Sequence, residues 1–210
     1  MVFKKETIIK ILPPIIGFGI GGALWGWSLY VGIPETSYPL TIPGAIFLGF
    51  FGGLGLSIYS KDIKKILKSC GLGLVGCLIG VFIAFLGTIH LPPIGGVILS
   101  LFFPQRLPDY LIEFFDLMSG VGTLSILYYW PNFAISGIFI GLFFSFGRSK
   151  ILPMVWRGGV GFGLAAIISP LFGNLLGNLF NSLFFSYLIT FSLIGVIFSL
   201  FLLWGISKSK

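Results

Sequence analysis

Three acidic residues share one side of an apolar segment in the middle of the chain. Asp109, Glu113 and Asp116 are spaced i, i+4 and i+7, which places them on one face of a helix. Pro108 can open that helix, and acids in a first turn are favoured by the helix dipole. Asp116 lies about two turns further in, where an ionised carboxylate is costly in lipid and usually faces a cavity or a partner. If the protein moves a cation or a proton-coupled solute, we expect Asp116 to carry it, with Glu113 as a relay. The simpler interpretation is that Asp116 pairs with one of the arginines Arg106, Arg148 or Arg157.

A second polar constellation follows in the last third of the chain. Asn174, Asn178 and Asn181 are again spaced i, i+4 and i+7, beside Gly173 and Gly177. Hydrogen bonds between helices are the simpler interpretation of such an amide stripe. The alternative is a polar lining for the path of an ion or a small solute.

The composition indicates the surroundings of both constellations. The chain has 210 residues, of which 56% are hydrophobic and only 9% charged, whereas soluble proteins carry about 25% charged residues. So few charges exclude a soluble enzyme, and the high hydrophobicity excludes disorder. The continuously apolar segments predict an all-α polytopic membrane protein with little mass outside the lipid bilayer.

Metal and cofactor chemistry have little support. The chain has one histidine and two cysteines, Cys70 and Cys77. The cysteines are seven residues apart on one segment, about 10 Å along a helix axis, whereas a disulfide needs Cα atoms within about 7 Å. We expect both thiols to be free and buried, and we expect no cofactor, no metal site and no nucleic-acid partner.

Eight apolar segments are predicted to cross the membrane, with seven as the lower count because the fourth is short and could be re-entrant. A full span needs about 20 residues. The segments are 9–31, 42–59, 68–88, 91–103, 109–130, 132–147, 156–180 and 182–206.

The distribution of basic residues predicts the orientation. With eight crossings and the N-terminus inside, all 13 Lys and Arg residues lie on the cytoplasmic side. The outer links are then 32–41, 89–93, 131 and 181, and they carry no basic residue. We therefore expect both termini to be cytoplasmic.

Three sequence matches in the same order predict an internal duplication. Residues 96–103 match 195–202 at six of eight positions, 46–49 match 138–141, and a looser match joins 70–76 to 157–163. Four spans in each half would give two like-oriented repeats, 1–107 and 108–210, within one integrated membrane domain.

Glycines spaced by four residues predict close helix packing. Small residues at this spacing let helix backbones approach each other in lipid. The pairs are Gly17 and Gly21, Gly22 and Gly26, Gly49 and Gly53, Gly76 and Gly80, Gly137 and Gly141, and Gly173 and Gly177.

Three functions remain compatible with these observations. The favoured one is a small transporter or channel for an ion or a small solute, because two like-oriented halves are a common transporter plan and Pro170 could kink the seventh segment. The second is a structural or accessory subunit of a larger membrane complex. The third is a lipid-modifying membrane enzyme, and only the acidic face supports it. The expected partners are the bilayer and either a second copy of the chain or other membrane subunits.

Overall fold

The computed structural model describes residues 5–32, 41–60, 62–90, 123–146 and 151–207. Within these ranges every element is helical. A 3-10 turn, Ile58–Ser60, continues the second helix. The six α-helices are α1 (Lys5–Gly32), α2 (Ile42–Ser57), α3 (Ile63–His90), α4 (Thr123–Ser145), α5 (Ile151–Leu179) and α6 (Leu183–Ser207).

Five of these helices are long and apolar enough to cross a bilayer. The qualifying stretches are Ile11–Val31, Ile42–Ser60, Ile63–Leu86, Ile151–Leu179 and Leu183–Trp204, and α4 contributes a shorter apolar stretch, Trp130–Ser145. Their outward side chains are largely apolar, as in Phe82 at 60% and Leu152 at 74% exposure. The prediction of an all-helical, multi-pass membrane protein is therefore confirmed at this level.

The six described helices form a closed ring. Each helix packs against its neighbours in chain order, and α6 packs against α1. Neighbours are antiparallel: Gly17 of α1 approaches Gly55 of α2, whereas Gly21 approaches Phe47. The N-terminal ends of α1, α3 and α5 consequently lie at one end of the bundle, together with the C-terminal ends of α2, α4 and α6.

Every basic residue of the described helices lies towards that same end, which we call the basic end. It is defined by Lys5 and Lys10 of α1, Lys64, Lys65 and Lys68 of α3, and Arg157 of α5. The other end, where α5 turns into α6, is called the opposite end.

Aromatic side chains fill the centre of the ring. Phe18, Trp25, Phe133, Phe162 and Phe198 are all at most 1% exposed. The ring of Phe18 packs edge-on against that of Phe198, with centroids 5.2 Å apart, and Phe133 packs similarly against Phe162 at 5.3 Å. Burial of such rings is a large stabilising contribution, and it leaves the axis of the described ring closed.

The predicted role of the paired glycines is confirmed, since all twelve meet a neighbouring helix. A Cβ atom at Gly49 would lie 2.5 Å from the Gly73 carbonyl oxygen, and one at Gly26 would lie 2.5 Å from the Tyr187 carbonyl oxygen. Both distances are shorter than any van der Waals contact, so the backbones touch where glycine stands.

One predicted boundary is wrong. The sequence was divided at Pro131 into a fifth segment, 109–130, and a sixth, 132–147, but α4 runs from Thr123 to Ser145 with Pro131 inside it. A proline removes one helical hydrogen bond, and membrane helices tolerate this where neighbouring groups compensate. Here the next residue, Asn132, anchors the helix by donating to the Ala84 carbonyl of α3 at 3.3 Å.

The count of eight spans and the duplication are not confirmed. The fourth segment, 91–103, and residues 109–122 of the fifth lie outside the described residues, as does 96–103, half of the best repeat match.

The cysteine prediction is confirmed, because Cys70 and Cys77 are free and buried.

Candidate functional site

Only one of the two polar constellations lies within the described residues. The acidic face, Asp109, Glu113 and Asp116, lies outside the described residues and stays a prediction. The amide stripe, Asn174, Asn178 and Asn181, lies at the C-terminal end of α5 and in the turn to α6. The candidate site is therefore built from the α5–α6 interface at the opposite end.

Asn174 is the innermost amide of the stripe. It is fully buried, and its Oδ1 accepts a hydrogen bond of 2.7 Å from the hydroxyl of Ser186 on α6. The helices come this close because Gly177, one turn further along α5, packs against Ser186. The interpretation as an inter-helix hydrogen bond is thus confirmed for Asn174.

The other two amides are exposed and line a cleft. The cleft has a volume of about 210 Å³ and is bounded by Asn178 and Asn181 on one side and by Ser182, Leu183 and Ser186 on the other, with Gly177 at its base. Since Ser186 both borders the cleft and donates to Asn174, a continuous polar line leads from the cleft into the bundle.

Asn181 also has a backbone role. Its φ of +47° is in the left-handed region, where Asn is among the best tolerated residues after glycine. The Ser182 amide donates to the Gly177 carbonyl at 2.9 Å, which closes the C-terminus of α5 in the manner of a Schellman motif. The turn therefore explains this asparagine without any ligand.

Two further hydroxyls lie deeper at this interface. Thr190 contacts Gly173 one turn inward from Ser186, and Ser169 lies one turn before Gly173 on α5. Both side chains are fully buried, and within the described ranges neither hydroxyl oxygen has a hydrogen-bond partner. A buried polar group without a partner costs about 1–3 kcal/mol, so the packing at Ser169 and Thr190 is not optimal for stability.

Sequence reasoning missed the hydroxyl side of the site. Ser182, Ser186 and Thr190 recur at every fourth residue, which keeps them near one face of a helix. That spacing was the available signal, and the continuous apolar background of α6 hid it. Pro170, which the sequence analysis names as a residue that could kink this helix, is buried within α5, and α5 is continuous from Ile151 to Leu179.

The chemistry of the cleft is that of neutral hydrogen-bonding groups. Its amides and hydroxyls each offer both donors and acceptors, and none of the described residues that line it is ionisable. Among the described residues no group of three His, Cys, Asp or Glu side chains could hold a metal ion. Such a lining suits water, a small polar solute or a partly dehydrated ion.

Comparison of the chain with protein-family models, with curated proteins and with solved structures found no match. The function is therefore argued from the residues alone.

Proposed function

We propose that the protein is a small membrane transporter or channel for an ion or a small solute, with the cleft at the opposite end as one mouth of its path. The observation that carries this proposal is the polar line from Asn178 through Ser186 to Asn174. It leads from an exposed cleft to buried hydroxyls that lack partners. Static packing would not require polar groups to be left unpaired inside a membrane bundle.

The path follows the α5–α6 interface and not the axis of the ring. The aromatic side chains on the axis, among them Trp25 and Phe162, are tightly packed. The interface between α5 and α6 instead holds a row of hydroxyls and amides. Movement of a solute past Thr190 then needs a small separation of these two helices.

The opposite end faces away from the cytoplasm in this proposal. Its support is that all basic residues of the described helices lie towards the basic end, as positive residues do on the cytoplasmic side. Since α3 ends and α4 begins at the opposite end, the later helices keep the orientation of the eight-span prediction. Both chain termini are accordingly proposed to be cytoplasmic.

Flux into reconstituted vesicles tests the path. Asn174→Leu removes the amide at nearly the same volume, and it should lower the flux of a solute that the wild type moves by about tenfold, the effect of losing one hydrogen bond from the path. Asn132→Leu is the matched control, because it removes a buried amide that bonds α4 to α3; it should leave flux unchanged per folded protein. Equal loss in both variants would contradict the path.

The acidic face has its own test. If the cargo is a cation or is coupled to protons, Asp116→Asn should abolish flux while the protein still folds, because the amide is isosteric and removes only the charge. Unchanged flux in this variant would remove Asp116 from the mechanism.

An accessory subunit of a membrane complex is the second candidate. Its support is the closed aromatic centre of the described ring together with a surface of exposed apolar side chains, including Leu179 at 76% and Ile63 at 65%. Isolation in mild detergent separates the two candidates. A stable complex with other subunits, without flux from the isolated chain, would favour this second function.

The predicted duplication is retained as part of the proposal. Residues 42–103 and 132–202 are proposed to be related by a rotation about the membrane normal, and its support is the three sequence matches in the same order. An experimental structure showing an axis in the membrane plane, or no axis, would refute it.

A further inference from the structure

A buried arginine stands near the basic end of the bundle. Arg157 is six residues into α5, about 9 Å along the helix axis, and only 7% of its surface is exposed. Its Nη1 donates to the Trp204 carbonyl at 2.6 Å. This bond joins the side chain of α5 to a backbone carbonyl in the last turn of α6.

The charge of Arg157 is nevertheless not neutralised within the described part of the chain. The ion pair found there joins Lys65 to Asp62, both exposed, at 4.0 Å. The guanidinium instead lies between two indole rings, 4.5 Å from the centroid of Trp204 and 5.4 Å from that of Trp156. Its Nε has no hydrogen-bond acceptor. An ionised group at this depth in a membrane protein calls for an anionic partner.

An apolar groove begins beside this arginine. It has a volume of about 390 Å³ and lies between α4 and α5, where Trp130, Ala134 and Ile138 face Trp156, Val160 and Leu164. Trp156 borders both the groove and the guanidinium. The groove extends to Ile167, which is 11 residues or about 16 Å along α5 from Trp156, a length and a lining suited to a hydrocarbon chain.

We propose that this groove and Arg157 bind one anionic phospholipid of the leaflet at the basic end. The phosphate accepts hydrogen bonds from the guanidinium, and one acyl chain lies in the groove. Trp156, which is 45% exposed, is the side chain that turns aside to admit the headgroup.

Lipid retention tests the proposal on the full-length protein. The protein is exchanged into detergent containing phosphatidylglycerol and phosphatidylcholine with identical acyl chains, and bound lipid is measured by native mass spectrometry. The wild type should retain about fivefold more of the anionic lipid, because both lipids carry a phosphate but only phosphatidylglycerol has a net negative charge, and one basic residue attracts such a lipid by about this factor. Arg157→Met should remove that preference, and Val160→Trp should reduce retention of both lipids by filling the groove.

Two controls keep the test decisive. Lys64→Gln removes an exposed charge at the same end, and Ile168→Trp enlarges an exposed residue of α5 outside the groove; both should bind like the wild type. Val160→Trp leaves Arg157 and its bond to Trp204 in place, so it carries the test if Arg157→Met fails to fold. Equal retention of the two lipids by the wild type would overturn the proposal. So would loss on Lys64→Gln alone, or displacement of the lipid by inorganic phosphate at equal concentration.

Discussion

Asn181 is a residue at which two explanations compete. Its side chain borders the polar cleft, while its φ of +47° makes it the left-handed residue that ends α5. Asn174 has no such ambiguity, because its backbone is helical and its amide bonds to α6. The backbone explanation is sufficient for Asn181, so in the proposed function Asn174, Asn178 and Ser186 are the residues that would contact a solute.

Substitutions at Asn181 separate the two explanations. Asn181→Gly should retain stability and flux, since glycine adopts positive φ freely. Asn181→Val should lower the free energy of unfolding by about 1–2 kcal/mol, because a β-branched residue is strained there. Thermal unfolding in detergent measures both, and a large flux defect in Asn181→Gly would show that the amide itself serves the path.

The packing of the helix ring relies on direct contact between the backbones of neighbouring helices. In α3, a Cβ at Gly73 would collide with the Gly49 carbonyl of α2 and would lie 2.9 Å from the ring of Phe144. Gly71, two residues earlier on the same helix, has nothing within 4 Å of its Cβ position. These two glycines thus form a matched pair for testing the α2–α3 contact.

Gly73→Ala should destabilise the protein, and Gly71→Ala should not. The expected loss at Gly73 is about 1–3 kcal/mol, the usual cost of overpacking, whereas Gly71→Ala gains up to about 1 kcal/mol of helix propensity. The comparison is made by melting both variants in the same detergent. Equal melting temperatures would mean that α2 and α3 are not in backbone contact.

The sequence predicts the contact faces of the helices but not the order of the helices around the ring. Glycines spaced by four identified the contact faces because close approach requires the absence of a side chain. The order of helices around the ring could not be predicted, since a helix such as α2 is apolar on nearly every side. Pro131 was mistaken for a boundary because its missing amide is penalised in water, whereas Asn132 and neighbouring helices support α4 here.

The candidate site was predicted in part. The amide spacing correctly indicated an inter-helix hydrogen bond at Asn174, while its partner helix was not predicted and the hydroxyls of Ser186 and Thr190 were overlooked. For Arg157 the sequence predicts a cytoplasmic position and a candidate ion pair with Asp116, but not its surroundings in the bundle. Its burial between Trp156 and Trp204 depends on α5 and α6 meeting 47 residues apart in the chain, which no local pattern reveals.

At the scale of the whole molecule, the bundle has chemically different ends. The lysines of α3 lie at the basic end, and the cleft of Asn178 and Asn181 lies at the opposite end. A path that begins at this cleft requires the two ends to face opposite sides of the membrane. The proposed path therefore requires that solutes reach Asn178 from the side of the membrane that Lys64 does not face.

Labelling with a membrane-impermeant thiol reagent tests whether Asn178 and Lys64 face opposite sides of the membrane. Single cysteines are introduced by Asn178→Cys and Lys64→Cys in a background in which Cys70 and Cys77 are replaced by alanine. In intact cells the cysteine at position 178 should be labelled from outside, and the one at position 64 only after the membrane is opened. Labelling of both positions from the same side, or of position 178 only from the cytoplasm, would contradict the account.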